Sequence, residues 1–291
     1  KSVDGGKTWK RIYPFEADII KEEFIGDHAS YNVHTNENSL FYSKNEENGM
    51  ITKIPIVKNI KVDPQDSKMI YFSVDDDFFY TRDAGQSWNK LKLDSTINFI
   101  YPNSKDGENK VYVFTASSVN MVDKQSWELE VLEYPTEMQP AFSLTGGTLK
   151  SSENSVFYAL HNDESLRKDG GTAPTTLWIS QDLGKTWQQN KEAIITNSAN
   201  TLPTYSTLAA AEFDAQNVYV VTSSYMEKKE DGTVGVWFGA LKSSNMGASW
   251  DWVWKGGGGS GKYGIRDGSD ASNLKDAWVQ DAFGKDFIRL I

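Results

Sequence analysis

Short runs of β-branched and aromatic residues alternate with turn residues along almost the whole chain. One stretch holds four such runs in order, NIKVDP, KMIYFSV, DFFYTRD and QSWNKLKL, and the next repeats the order with INFIYPN, KVYVFTA, SVNMVD and SWELEVL. Further runs are SVFYAL, TTLWISQ, NVYVVTSS and VWFGALKS. No segment keeps a helical period over three turns. The pattern predicts an all-β protein whose strands come in groups of four.

A turn motif of the form Ser/Thr-x-Asp-x-Gly-x-Ser/Thr-Trp recurs among these strands. It occurs as SVDGGKTW, TRDAGQSW and SQDLGKTW, whereas SSNMGASW has Asn for the Asp and MVDKQSW has lost the Gly and one residue. The Asp accepts backbone N–H bonds, the Gly supplies a positive φ, and the Trp packs against neighbouring sheet. One carboxylate per copy is too few for a calcium loop. We therefore expect a structural hairpin role for Asp4, Trp9, Asp83, Trp88, Asp123, Trp127, Asp182, Trp187, Asn245 and Trp250.

This motif resembles the Asp-box, or BNR repeat, of sialidases, two-propeller xyloglucanases and, more distantly, sortilin-type receptors. The five copies extend over nearly the whole chain. The resemblance implies a β-propeller of four-stranded antiparallel blades, with each box as the turn between the third and fourth strands. It also implies that ligands bind on the opposite face, which carries the second-to-third strand loops and the blade-to-blade connections.

The spacing of the motif predicts the number of blades. A four-stranded blade takes roughly 40–45 residues, and the interval from Asp4 to Asp83 is about twice that length, so it includes one blade without a box. The sequence opens on the last two strands of a blade and ends on DFIRLI, which has the pattern of a first strand. We expect a single β-propeller domain over residues 1–291. It would be seven-bladed in the intact protein, with both chain ends inside a blade and further domains of a longer parent chain packed against it.

Composition narrows the classes of partner. A net charge of −10 argues against nucleic acid, because a phosphate backbone is bound by clustered Lys and Arg. The absence of cysteine excludes disulfides, thiol catalysis and cysteine-ligated zinc. No window of about 18 apolar residues occurs, so no membrane span is predicted. We expect a secreted or periplasmic protein without a metal or other cofactor.

Sugar hydrolysis requires two carboxyl groups, and the stretch VDDDFFY is acidic. It resembles the xyloglucanase stretch T-D-x-G-G-x-Y-R, whose Asp is catalytic, and counting back from Tyr80 aligns that Asp with Asp75. The match departs from the family at Val74, Asp77, Phe78 and Thr81. The resemblance makes Asp75 the candidate catalytic residue, and a simple turn-forming role is the alternative. Asp76 of the same stretch is a further candidate, and the possible carboxyl partners from the long loops are Asp267, Asp270, Glu227 and Glu230.

The intervals from Asp123 to Asn245 each exceed one blade by roughly twenty residues, which predicts long loops where binding usually occurs. These loops are HNDESLRKDGGTAPT, KEAIITNSANTLPTY, SYMEKKEDGTVG and KGGGGSGKYGIRDGSDASNLK. The last differs from a phosphate-binding P-loop because Tyr263 follows Lys262 where a P-loop has Ser or Thr, and no helical pattern follows. A nucleotide site is therefore not expected.

Aromatic side chains near these loops are candidates for stacking on sugar rings. In SWDWVWK, three tryptophans alternate along one side of a strand, and we expect Trp250 and Trp252 to be core. Trp254 lies nearest the loop, and packing between blades is its alternative role. The predicted substrate-binding aromatic residues are Trp254, Tyr225, Tyr263 and Trp278.

A histidine suggests a second chemistry. Propeller polysaccharide lyases use His, Tyr and Arg, and His161 with Arg167 could have these roles, although a solvated loop histidine is the alternative. The chain has only five arginines and no F/Y-R-I-P stretch, which argues against a sialidase site. The sequence thus predicts a carbohydrate-active propeller, a glycoside hydrolase acting on a plant-type polysaccharide through an acidic pair. A polysaccharide lyase and a non-catalytic module that binds glycan or protein are the alternatives.

Overall fold

A computed structural model describes residues 1–13, 19–25, 30–35, 57–103, 109–150, 152, 154–167, 173–190, 194, 204–228 and 234–257. The chain divides into two compact units, Lys1–Tyr112 with Asp123–Gln125, and Val113–Val122 with Ser126–Ile291. No helix in the described ranges is long and apolar enough to cross a membrane.

The described secondary structure is almost entirely strand, with two short 3-10 turns at Thr136–Met138 and Glu164–Leu166. In chain order the strands are β1 (Ile19–Ile25), β2 (Ser30–Thr35), β3 (Lys58–Val62), β4 (Ile70–Val74), β5 (Asp77–Thr81), β6 (Asn89–Lys92), β7 (Phe99–Pro102), β8 (Lys110–Phe114), β9 (Ser118–Asp123), β10 (Leu129–Glu133), β11 (Ala141–Thr148), β12 (Ser155–Asn162), β13 (Thr175–Ser180), β14 (Gln188–Asn190), β15 (Thr204–Ala210), β16 (Val218–Lys228), β17 (Val234–Ser243) and β18 (Asp251–Gly257).

Sixteen of these strands form four-stranded sheets in which neighbours in sequence are neighbours in space. The sheets are β3–β6, β7–β10, β11–β14 and β15–β18, and β1 pairs with β2. Neighbouring strands are antiparallel from β3 to β6, from β11 to β14 and from β15 to β18, as are the pairs β1–β2 and β9–β10. The predicted fold class, all-β with four-stranded antiparallel blades of a propeller, is confirmed. The number of blades and the single-domain boundaries stay predictions.

The sequence pattern did not identify β11 and β15, which are the first strands of their sheets. Small and polar residues interrupt the runs of β-branched and aromatic residues in both. Gly146 and Gly147 interrupt the β-branched pattern of β11. A Cβ added to Gly146 would lie 2.3 Å from the Phe157 ring, and one added to Gly147 would lie 2.2 Å from the Glu212 carbonyl oxygen. These glycines therefore permit a close approach of backbone and ring that a larger residue would block.

Each unit has its own aromatic core. In the first unit, Phe72 stacks on Phe79 with ring centroids 4.9 Å apart and meets Trp88 edge-on at 4.7 Å. In the second unit, Tyr158 is fully buried and its hydroxyl donates to the Ala215 carbonyl over 2.6 Å. Burial raises the pKa of Tyr158 well above its usual range, so the hydroxyl stays a donor.

Candidate functional site

Four of the five box motifs occupy the turns that the resemblance predicted. Asp83 lies between β5 and β6, Asp182 between β13 and β14 and Asn245 between β17 and β18, whereas Asp123 is the last residue of β9, before the turn to β10. Each turn therefore joins the third and fourth strands of a four-stranded sheet.

The Asp182 turn shows why these residue types recur. Oδ1 of Asp182 accepts from the Ser180 hydroxyl at 2.9 Å and the Thr186 N–H at 2.8 Å, and Oδ2 accepts from the Thr186 hydroxyl at 2.6 Å. The Gly184 N–H donates to the Ser180 hydroxyl, and the Trp187 indole donates back to the Gly184 carbonyl. Burial alone would raise the pKa of Asp182, but these hydrogen bonds outweigh it and hold the pKa below its usual range. The carboxylate is saturated by its own turn, as a structural role requires.

Asn245 reproduces this turn with one hydrogen bond reversed. Its Oδ1 accepts from the Ser243 hydroxyl at 2.8 Å and the Ser249 N–H at 2.9 Å, while its Nδ2 donates to the Ser249 hydroxyl at 2.9 Å. The hydroxyl accepts here where Thr186 donates, so an amide replaces a carboxylate without losing a contact.

The boxes differ in what surrounds their tryptophans. Trp187 is 7% exposed, whereas Trp9 is 75% exposed although its indole makes the same bond, to the Gly6 carbonyl. The Trp88 indole donates instead to the Ile12 carbonyl at 2.9 Å. Packing of the box tryptophan against neighbouring sheet, as predicted, is therefore not seen at Trp9.

The sequence analysis did not predict the left-handed backbone of the residue before each box glycine. Ala84, Leu183 and Met246 adopt left-handed backbone with φ of 60°, 63° and 58°. Such conformations are costly for side chains other than Asn, Asp and Gly, and the hydrogen-bonded box sustains them. In the degenerate copy the left-handed residue is Trp127 itself, with φ of 62°.

The predicted acidic turn lies between β4 and β5, a second-to-third strand turn. Asp75 has a left-handed φ of 52°, and its carbonyl accepts from the Ile97 N–H at 2.8 Å. Oδ2 of Asp76 lies 2.9 Å from Nζ of Lys92. Oδ2 of Asp77 lies 3.2 Å from the Lys90 ammonium, so Asp76 and Asp77 each pair with a lysine.

One predicted carboxyl partner, Asp267, lies outside the described residues, as do Tyr263 and Trp278. Of the predicted catalytic carboxyl residues Asp75, Asp76 and Asp267, only the first two therefore lie among the described residues. Asp, Glu and His side chains nowhere gather into a group suited to a metal ion within the part of the chain that the structure describes.

His161 is not the solvated loop residue that the alternative interpretation considered. It is the next-to-last residue of β12, pairs with Ala141 of β11, and is 7% exposed. Its Nδ1 lies 3.1 Å from the Pro140 carbonyl oxygen. Arg167 follows the short 3-10 turn after β12, and its guanidinium pairs with Glu164 at 3.0 Å. The two candidate lyase residues thus have separate partners.

Tyr225 belongs to a strand rather than to a loop. The predicted loop SYMEKKEDGTVG is largely an extension of the β16–β17 hairpin, in which Tyr225 pairs with Trp237 and Lys228 with Val234. Long antiparallel pairing satisfies the backbone groups that a loop would leave to solvent, so the polar composition of the segment was a poor guide.

A tryptophan cluster, formed by Trp237, Trp252 and Trp254, lies along β17 and β18. Trp237, Trp252 and Trp254 are all half-buried. The Lys255 ammonium lies 4.3 Å from the Trp237 ring centroid and 5.4 Å from that of Trp252. Trp254 meets Phe238 edge-on with centroids 5.3 Å apart.

A register shift separates the tryptophans that the sequence placed on one side. Ala240 pairs with Trp254 and Leu241 with Trp252, so the strand has one extra residue at Val253. A bulge of this kind sends the following side chains to the other face. The prediction that Trp252 and Trp254 share a face is therefore wrong. Trp252 packs against the core of the second unit, as predicted, and so does Trp250.

Glycine shapes this cluster from inside. A Cβ added to Gly239 would lie 2.2 Å from the Trp254 carbonyl oxygen and 3.0 Å from the Trp252 ring. The two strands approach closely here, at the stretch of β18 that carries the rings of Trp252 and Trp254 on its opposite faces.

The cluster contains two unsatisfied donors. The indole Nε1 atoms of Trp237 and Trp254 are buried and have no hydrogen-bond partner among the described residues. An unsatisfied buried donor costs about 1–3 kcal/mol. An acceptor oxygen brought by a ligand would relieve that cost. The register places the Trp237 indole and the Lys255 ammonium on the core face of the sheet with Trp252, whereas the Trp254 ring and its N–H donor lie on the other face.

Comparison with known proteins yields fold likeness only. No family model matches the chain, and no curated protein matches it. Solved structures with a similar fold are β-propellers. The WD40 domain of Neurospora crassa Pan2 is 13% identical, with 62% of this chain and 46% of that chain covered and a TM-score of 0.36.

Two further structures share the fold. An ancestral GH74 enzyme is 14% identical, with 82% of this chain and 33% of that chain covered and a TM-score of 0.44. YCF48 from Cyanidioschyzon merolae is 9% identical, with 69% and 86% covered and a TM-score of 0.31. The chain thus spans less than half the length of the Pan2 WD40 domain and of the GH74 enzyme.

Proposed function

We propose that this chain is a carbohydrate-active propeller of the Asp-box type that holds a polysaccharide at the tryptophan cluster of β17 and β18. The observation that carries the proposal is the buried indole N–H group of Trp254, which has no acceptor among the described residues. Sugar hydroxyls are acceptors, and the C–H face of a sugar ring packs on an indole. The predicted stacking residue Trp254 belongs to this cluster.

The Asp-box assignment rests on the turns themselves. The turns at Asp83, Asp182 and Asn245 share one hydrogen-bonding scheme, in which the side chain at this position accepts from a flanking hydroxyl and from a backbone N–H. All three lie between third and fourth strands. A shared scheme at a shared place in the blade supports common membership of the family that the motif resembles.

The binding proposal is tested by equilibrium titration of the purified chain with xyloglucan, cellulose-type and pectin oligosaccharides. The variant Trp254→Ala removes ring and donor, whereas Trp254→Phe keeps an aromatic ring and removes the donor. We expect affinity to fall on the order of tenfold or more for Trp254→Ala and by a smaller factor for Trp254→Phe.

Trp9→Ala is the matched control, because Trp9 is an exposed tryptophan of a different turn. It should leave affinity unchanged. Equal losses in Trp9→Ala and Trp254→Ala, or no binding to any oligosaccharide of the panel, would refute the proposal.

A glycoside hydrolase that uses Asp75 is the second candidate, supported by three consecutive carboxylates, two in a second-to-third strand turn and the third, Asp77, at the start of β5. Release of reducing ends from the same panel, without the ultraviolet absorbance of unsaturated uronates, would mark hydrolysis. Asp75→Asn is the informative variant, since Asn tolerates the left-handed backbone at this position and removes only the charge.

We expect Asp75→Asn to abolish hydrolysis while the fold persists, whereas a fully active variant would end the assignment of Asp75. Ultraviolet absorbance together with new reducing ends would favour the lyase alternative with His161. The contacts of His161 add no support to that alternative.

A further inference from the structure

A groove in the second unit lies beside the box turns, at the opposite end of β18 from Trp254. It has a volume of about 700 Å³ and lies between the β13–β14 turn and the β17–β18 turn. Ile179 and Met246 supply its apolar lining, and Gln181, Gln188, Gln189 and Asn190 supply its amides.

The strand register brings the amides to this place. Gln188 pairs with Ile179 and Asn190 pairs with Leu177, so the two amides lie two residues apart on one face of β14. Nδ2 of Asn190 donates to the Gly247 carbonyl at 2.9 Å, which joins β14 to the neighbouring box turn. Gln181 and Gln188 are exposed.

The groove has little charge to offer. Asp182 is the one ionisable residue among its described lining residues, and both of its carboxylate oxygens already accept from Ser180 and Thr186. None of those lining residues is basic. An anionic ligand would therefore meet no counter-charge in the groove.

Amides suit a hydroxyl-rich neutral ligand. Each amide offers donors and an acceptor, and a sugar hydroxyl both donates and accepts. Three of the nine glutamines of the chain line this single groove. We infer that the groove is a second binding site, specific for a neutral polysaccharide chain. The inference rests on the proposed carbohydrate-binding function and extends it to a separate end of the same sheet.

The test is a nuclear magnetic resonance titration of the isotope-labelled chain with cellohexaose, a neutral probe, and with hexagalacturonate, an anionic one. Side-chain amide signals report the groove, and indole N–H signals report the tryptophan cluster. We expect cellohexaose to shift the signals of Gln188 and Gln189, and hexagalacturonate to leave them in place.

The double variant Gln188→Ala/Gln189→Ala should weaken cellohexaose binding, followed at the Gln181 and Asn190 amides, about tenfold. Gln86→Ala is the matched control, because Gln86 is an exposed glutamine of another box turn. It should change nothing.

The two proposals fail separately in this experiment. Indole shifts without amide shifts would overturn the groove and leave the tryptophan site, and amide shifts alone would do the reverse. Equal amide shifts with both probes would overturn neutral-ligand specificity. Amide shifts with an extended peptide but with neither sugar would show that the groove binds peptide, and would overturn the inference.

Discussion

The turn at Asp182 and the degenerate turn at Asp123 both join the third and fourth strands of a sheet, but different contacts stabilise them. The Asp182 turn is held by residues of its own eight-residue motif, from the Ser180 hydroxyl to the Trp187 indole. The degenerate turn has lost the glycine, and its Lys124 reaches out of the motif. Nζ of Lys124 lies 2.7 Å from Oδ2 of Asp63 and donates to the Asn103 carbonyl at 2.9 Å.

The distant contacts form a buried network. The side chains of Lys124 and Asp63 are 3% and 1% exposed. The Tyr71 hydroxyl donates to Oδ2 of Asp63 at 2.8 Å, and burial together with Asp63 raises the pKa of Tyr71 well above its usual range. The Arg82 guanidinium donates to the carbonyls of Lys124 and Gln125. The degenerate turn thus keeps a local bond, from the Gln125 N–H to Oδ1 of Asp123 at 2.8 Å, and adds contacts to three other segments.

The largest effect is expected from Lys124→Met, which leaves the Asp63 carboxylate buried without its counter-charge. Removing one partner of a buried ion pair costs about 3–5 kcal/mol. Urea unfolding should show a loss of that size. The double variant Lys124→Met/Asp63→Asn leaves no buried charge and should recover about half of it. A loss below about 1 kcal/mol for the single variant would contradict the dependence on distant contacts.

A middle-sized effect is expected when box glycines are replaced by alanine. Gly184 and Gly6 have φ of 82° and 86°, so both variants bear the left-handed penalty of about 1–2 kcal/mol. A Cβ on Gly184 would also lie 2.7 Å from Cγ2 of Val119, whereas one on Gly6 would be 3.8 Å from the Trp9 ring. Overpacking adds about 1–3 kcal/mol, so Gly184→Ala should cost clearly more than Gly6→Ala.

Val119 supplies the control for that comparison. If the clash is the extra cost, Gly184→Ala should destabilise less in a Val119→Ala background than in the natural chain. Equal losses at both glycines in urea unfolding, or no relief from Val119→Ala, would show that backbone conformation alone sets the cost.

Local patterns predicted the features that local physics determines. Alternating aromatic and β-branched runs identified β3 to β6 and β7 to β10, and the Asp182 motif identified its turn because every bond lies within eight residues. The Lys124 network escaped prediction, since Asp63 is far away in sequence and only the fold brings it close. Likewise, the extra residue at Val253 has no signature in SWDWVWK, yet it decides which face Trp254 occupies.

The smallest effect concerns acid, and it separates the Asp182 turn from the Asn245 turn. The pKa of Asp182 is lowered in the folded chain, so its contribution to stability is complete above the unfolded carboxyl pKa of about 4 and is lost as the pH falls through the folded value. Asp4 follows the same rule, because hydrogen bonds from Thr8 lower its pKa to about 2. Asn245 has no proton to gain.

Asp182→Asn should therefore change the free energy of unfolding by less than about 1 kcal/mol at pH 6 and should reduce its decline between pH 4 and pH 2. Urea unfolding across that range measures both, and an unaltered decline would show that the Asp182 carboxylate does not contribute to acid sensitivity.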